Sequence, residues 1–176
     1  MDSVASPILY ISLLLVLLGS VAFFVVRQVL KTRRIESALS RLQSKLNKEK
    51  GTAEEYYELG SILLEKRLFT QAIAQFQKAI KLETLEGQDL AAVYNALGFA
   101  YFAQEQYDLA IKQYKEALKL LPEYVTALNN LGHSYERKQL ASPALECYEQ
   151  ALVIEPSNQT AKRRAESLRK RLVTSA

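Results

Sequence analysis

Three copies of one spacing pattern constrain this chain more than any other feature. Two read Tyr94-Asn95-Ala96-Leu97-Gly98-Phe99-Ala100-Tyr101 and Leu128-Asn129-Asn130-Leu131-Gly132-His133-Ser134-Tyr135, with Gly98 and Gly132 34 residues apart. An earlier, weaker copy reads Tyr56-Tyr57-Glu58-Leu59-Gly60-Ser61-Ile62-Leu63. Aligned on Leu-Gly, the copies occupy residues 53–86, 91–124 and 125–158. Each places Ala twelve residues after its Gly (Ala72, Ala110, Ala144), an aromatic four further on (Phe76, Tyr114, Tyr148) and Ala three after that (Ala79, Ala117, Ala151). Self-similarity at such a period means a stack of supersecondary units, each burying a face against its neighbour.

The spacing within a copy is helical. Tyr94, Leu97, Gly98 and Tyr101 recur on one face. Gly60, Gly98 and Gly132, with Ala72, Ala110 and Ala144, are small where two helices must approach closely, so they are read as the packing positions of the repeat. Thr70, Asp108 and Ser142 are N-cap residue types and are expected to open the second helices, with Phe69, Tyr107 and Ala141 before them as staples. Pro143 then falls in a first turn, where its missing N–H costs little. Pro122 and Pro156 follow the second helices of the later copies. Gly60 to Gly98 is four residues longer than the period. The extra residues, Gly87-Gln88-Asp89-Leu90, are expected to lengthen the turn before a helix starting at Asp89, either as a tolerated surface insertion or as a protruding contact loop.

These residues resemble the tetratricopeptide repeat (TPR) family, whose unit is two antiparallel helices. The resemblance implies an all-α fold, a right-handed α-solenoid of three helix pairs, with a groove for protein segments lined by the first helix of each pair. Carried onto this sequence, the groove positions are Glu54, Tyr57 and Ser61, then Asn95, Phe99 and Phe102, then Asn129, His133 and Glu136. Tyr57, Asn95, Phe99, Phe102, Asn129 and His133 are the candidate partner-binding residues. Asn95 and Asn129 share one repeat position and Phe99 and His133 another. Amides in a row suit an extended peptide backbone, and they equally suit bonds to neighbouring helices. Some family members clamp the terminal carboxylate of chaperones with Lys, Arg and Asn. Here the matching positions hold Tyr57, Ser61, Ala96, Thr126 and Asn130, so the cations of that clamp are missing.

Residues 8–26 contain no charge and are rich in Leu, Ile, Val and Phe. As a helix they are about 28 Å long, the hydrocarbon thickness of a bilayer, so residues 1–26 are expected to form a transmembrane anchor. The rival, a cleaved signal peptide, is opposed by the acidic Asp2 before the run and by its continuation through Phe23-Phe24-Val25-Val26, although Ser20-Val21-Ala22 resembles a cleavage site. Arg27, Lys31, Arg33 and Arg34 just after the span orient the repeats toward the cytoplasm, or the stroma of a plastid. Residues 27–52 are a basic connector; 27–50 carries eight Lys or Arg against two Glu. It reads as a solvated helix continuing the anchor, as a site for anionic lipid headgroups, or as a short self-association seam through Ile35, Leu39, Leu42 and Leu46. Gly51-Thr52 ends it and caps the first repeat.

Charge divides the chain. The repeats, 53–158, hold nine Lys or Arg and fifteen Asp or Glu, net −6, while residues 159–176 are net +5. In 160–172, Ala161, Ala165, Leu168 and Leu172 form one apolar stripe opposite Lys162, Arg163, Arg164, Arg169, Lys170 and Arg171. This is expected to be a capping helix with one wet face, its basic residues within reach of lipid or an acidic partner. Nucleic acid is not an expected partner, since the basic residues flank a span rather than forming one reading face. One His and one Cys, in different helices of one repeat, give neither zinc-ligand spacing nor a nucleophile–base pair, and no phosphate-binding glycine loop is present. The chain is therefore expected to be no enzyme, with no cofactor and no metal, and Cys147 beside Tyr148 to be a partly buried apolar residue.

The order of anchor, Gln28-Val29-Leu30-Lys31-Thr32-Arg33-Arg34, three repeats and basic cap is similar to a family of membrane-anchored TPR proteins of cyanobacteria and plastids. That resemblance implies a thylakoid location, and protein partners that are photosystem I subunits or assembly factors. The expected function is a membrane-tethered interaction scaffold in assembly or stability of a membrane complex. The alternative is a receptor or adaptor for protein import or chaperones.

Overall fold

The computed structural model describes residues 5–174; the first four residues of the anchor segment, Asp2 among them, and the last two of the capping segment lie outside the described residues. Among the described residues there are eight α-helices and no strand. They form two units, one ending at Lys45 and the other beginning at Leu46.

The first unit lies within a single helix, α1, Ala5–Leu46, of 42 residues, whose last residue falls in the second unit. No Pro or paired Gly interrupts it after its first turn, and the basic connector continues the apolar run without a break. From Leu9 to Val26 every large apolar side chain is more than half exposed. The hydroxyls of Ser12 and Ser20 donate back to the carbonyls of Leu9 (2.9 Å) and Leu17 (2.7 Å), so neither presents an unpaired donor. A helix that satisfies its own polar groups and exposes only apolar side chains is one a bilayer tolerates.

The second unit is a stack of helix pairs: α2 (Ala53–Glu65) with α3 (Phe69–Lys81), α4 (Gly87–Ala103) with α5 (Tyr107–Leu120), and α6 (Val125–Arg137) with α7 (Ala141–Ile154), closed by α8 (Gln159–Thr174). Successive first helices touch, α2 with α4 and α4 with α6, which makes theirs the inner side of the stack. Thr52 caps α2 with a capping box. Its hydroxyl accepts from the Glu55 N–H (3.3 Å), and the Glu55 carboxylate accepts from the Thr52 N–H (3.1 Å).

The three turns inside the pairs are identical in plan. Each first helix ends in a residue with positive φ that is not glycine: Arg67 (60°), Glu105 (60°) and Gln139 (60°). The next N–H reaches back five residues, Leu68 to Leu63 (2.9 Å), Gln106 to Tyr101 (3.0 Å) and Leu140 to Tyr135 (2.9 Å), satisfying carbonyls a helix end would leave open. These turns correct the expected caps. The N-cap residues of α3, α5 and α7 are Leu68, Gln106 and Leu140, none with a side-chain cap bond, and Thr70, Asp108 and Ser142 lie one residue inside each helix. Phe69, Tyr107 and Ala141 are accordingly first helical residues rather than staples. Freed from capping, Thr70 accepts from Gln104 Nε2 (2.7 Å), and Asp108 pairs with Lys138. Both bonds join the start of a second helix to the inner turn of the following repeat.

The insertion is also corrected. Helix α4 begins at Gly87, not Asp89, and has 17 residues where α2 and α6 have 13. The four extra residues add one helical turn to α4, because Gln88, Asp89 and Leu90 have nothing to break it.

The core of every pair is an aromatic ring laid on a glycine. A Cβ on Gly60 would stand 2.6 Å from the Phe76 ring, on Gly98 2.7 Å from Tyr114 and on Gly132 2.8 Å from Tyr148. Ala72, Ala110 and Ala144 are fully buried beside them. At the far end Ala161, Ala165 and Leu168 of α8 complete the core around Leu128 and Tyr148. Asn158 caps α8, its Oδ1 accepting from the Ala161 N–H (2.9 Å).

Candidate partner-binding groove

The six candidate residues lie on α2, α4 and α6, and the structure treats them unequally. Phe99 is the most open, 44% exposed, an apolar ring that no core claims. Phe102 is half-buried. Its ring tilts against His133, 4.7 Å between centroids, and meets Tyr107 edge-on at 5.4 Å, so one aromatic seam runs from α4 to α6. Tyr57 is half-buried and leans on Phe76, 5.9 Å between centroids, a contact that ties it to the core of its own pair.

The two asparagines of the row have different surroundings. Asn95 bonds to the next repeat: its Oδ1 accepts from Asn130 Nδ2 (3.0 Å) and its Nδ2 donates to the Tyr124 hydroxyl (3.4 Å). Asn129, one repeat on, has a buried Oδ1 with no partner among the described residues. The sequence position is the same; what differs is the neighbour. Where α6 offers Asn130 to Asn95, α8 offers Arg164, and Arg164 turns to Glu136 instead (2.9 Å). Glu136 also accepts from the Tyr148 hydroxyl (2.6 Å), so it is a structural acceptor joining α6, α7 and α8. Of the basic residues expected on the wet face of the cap, Arg164 is thus half-buried, and Arg169 pairs with Glu149 of α7 (2.6 Å). Sequence reading missed Tyr124 and did not foresee the bonds of Asn130 and Arg164; the repeat register links these two, because they occupy the position of Ala96.

Electrostatically the middle of the groove is neutral. Burial, and then the nearby Arg164 guanidinium, hold the His133 imidazole below its ordinary range, so it is uncharged at neutral pH. Cys147 is buried, and burial pushes its thiol up to about 11, so it is protonated at neutral pH. Among the described residues no three His, Cys, Asp or Glu side chains converge as metal ligands do. The inner side offers an exposed aromatic, Phe99, and a neutral imidazole, His133. An exposed aromatic on the inner side of a repeat stack suits contact with another polypeptide.

Comparison with known proteins agrees with the repeat fold. A family model described as "TPR repeat" matches residues 98–139, and one described as "Tetratricopeptide repeat" matches 53–84 and 125–158. The tetratricopeptide repeat domain-containing protein PYG7, chloroplastic, of Arabidopsis thaliana is 40% identical over 93% of this chain, which spans 54% of that protein, about half its length. The protein ycf37 of Cyanophora paradoxa is 38% identical, with 89% of this chain and 90% of that protein covered. Among solved structures, MamA superposes with a TM-score of 0.73 at 24% identity, covering 80% of each chain, a likeness of fold alone. The TPR domain of Arabidopsis OM64 superposes with a TM-score of 0.63 at 25% identity, covering 68% of this chain and 96% of that one. The three ring-on-glycine pairs, the matched repeats and the full-length likeness to ycf37 lead to one conclusion: the chain belongs to the tetratricopeptide repeat family, as a relative of the ycf37 and PYG7 proteins.

Proposed function

We propose that this protein is a membrane-tethered scaffold that holds protein segments in its groove during assembly or stabilisation of a membrane complex, photosystem I being the complex proposed. The observation that carries the reading is the pairing of two units in one chain: a helix whose large apolar side chains from Leu9 to Val26 are all more than half exposed, and a repeat stack whose inner side presents Phe99 and the Phe102–His133 seam. The anchor crosses the thylakoid membrane once. The basic residues that follow it keep the repeats on the cytoplasmic or stromal side and interact with anionic lipid. A chloroplast relative supports the location. The groove lacks the cations of a chaperone clamp, which counts against an import or chaperone adaptor.

Solubilisation in mild detergent followed by co-purification tests the reading. Photosystem I subunits or their assembly factors are expected with the protein. Chaperones or translocation components in their place would transfer the assignment to the adaptor.

A further inference from the structure

The capping helix continues the repeat register. Helix α8 begins at Gln159, 34 residues after the start of α6 at Val125. Its buried positions repeat those of the earlier first helices: Val93, Ala127 and Ala161; Leu97, Leu131 and Ala165; Ala100, Ser134 and Leu168. Helix α8 is therefore a fourth first helix, without a second helix to follow it among the described residues. The groove rows extend onto it in the same register. Tyr57, Asn95 and Asn129 continue to Arg163; Ser61, Phe99 and His133 continue to Ser167. Arg163 and Ser167 are exposed, one helical turn apart on the same face.

The row changes character along its length. It begins at α2, which carries the exposed Glu54 and Glu58, passes the neutral amides and rings of α4 and α6, and ends at a guanidinium. The Oδ1 of Asn129, the row member next to Arg163, is the buried acceptor without a partner. Arg164 is committed to Glu136 (2.9 Å), whereas Arg163 is exposed and occupies the groove-row position by register. A guanidinium at the end of a neutral groove suits a carboxylate held bidentately.

We propose that α8 is a reading helix of the groove as well as its cap, and that Arg163 receives an acidic side chain of the bound protein segment while an apolar side chain of the same segment seats on Phe99. The assignment rests on the groove being the partner site. It adds a chemical preference and a direction: the acidic part of the segment lies toward the carboxyl-terminal end of the stack.

The test uses the full chain in nanodiscs of neutral lipid and a random-sequence dodecapeptide display library as probe. Selection on the native protein is expected to enrich peptides in which Asp or Glu stands at a fixed distance from Leu, Ile or Phe. Replacing that acidic residue by its amide in a selected peptide should weaken binding about tenfold at low salt. Arg163→Gln should remove this difference, and Arg163→Glu should select basic residues at the same spacing. Both substitutions are at an exposed position, and circular dichroism checks that the helices persist. Phe99→Ala separates the two claims. If it weakens every selected peptide while Arg163→Gln leaves the acidic preference intact, the groove stands and the role of Arg163 is overturned. If Phe99→Ala leaves binding unchanged, or no peptide is enriched over empty nanodiscs, the groove reading fails and the assignment with it.

Discussion

At the scale of single residues, the fold depends on contacts that leave no spare volume. Gly98 has the Tyr114 ring 2.7 Å from where a Cβ would sit, and Tyr114 is itself almost wholly buried. Neither group has room to retreat, so Gly98→Ala is expected to cost about 1–3 kcal/mol, and Gly98→Leu more. Thermal melting of residues 47–176 as a soluble array measures it, and an unchanged midpoint would reject the packing role. Gln139 presents the opposite case. It holds φ of 60° at an exposed helix end, a conformation that favours glycine. Gln139→Gly should stabilise the same array by about 0.5–1 kcal/mol, because the relief of left-handed strain exceeds the added flexibility of the unfolded chain. Cys147 supplies a pH dependence. Its thiol titrates near 11 when folded, against an ordinary value of 9.0. The unfolded chain therefore releases this proton first, and stability falls as pH rises from about 9 toward 11. Cys147→Ala should lose less stability across that window than the native chain, measured by urea unfolding at successive pH values.

At the scale of elements, what was legible in the sequence follows from which constraints are local. Leu97-Gly98 and Ala110 announce a helix pair because the close approach of two helices admits only small residues at fixed spacing. The apolar run from Leu9 to Val26 announces its helix because no polar residue beyond serine and tyrosine interrupts it. Thr70 and Asp108 misled because they are good capping types, and their actual bonds go to Gln104 and Lys138, about thirty residues away. Gly87 misled because glycine usually ends or interrupts helices, whereas here it starts an added turn. In the groove, repeat spacing located Asn95 and Asn129 but not their different surroundings. Those depend on whether the next first helix supplies Asn130 or Arg164. That difference sets an expectation for the cap. Glu136→Ala would remove the acceptor shared by Tyr148 and Arg164, leaving a buried hydroxyl unpaired, at a cost of about 1–3 kcal/mol. Amide hydrogen exchange should quicken in α8 first, while α2 and α3 keep their protection, since repeats in a stack communicate mainly with their neighbours.

At the scale of the whole molecule, the chain carries an apolar helix, an acidic repeat stack and a basic cap. If α1 spans a bilayer, alkaline carbonate will leave the protein in the membrane pellet, and protease added on the stromal or cytoplasmic side will digest the repeats. Release into the carbonate supernatant would show that α1 does not anchor the chain. The groove carries the functional claim, and Phe99 is its most informative residue, because it is exposed and lies outside the core. The most direct measurement compares the proteins that co-purify with the native chain and with Phe99→Ala after mild detergent solubilisation of the membrane. Photosystem I subunits or assembly factors are expected to accompany the native protein and to be lost from the variant, while the variant inserts and melts as the native chain does. An unchanged set of partners on a normally folded Phe99→Ala protein would contradict it.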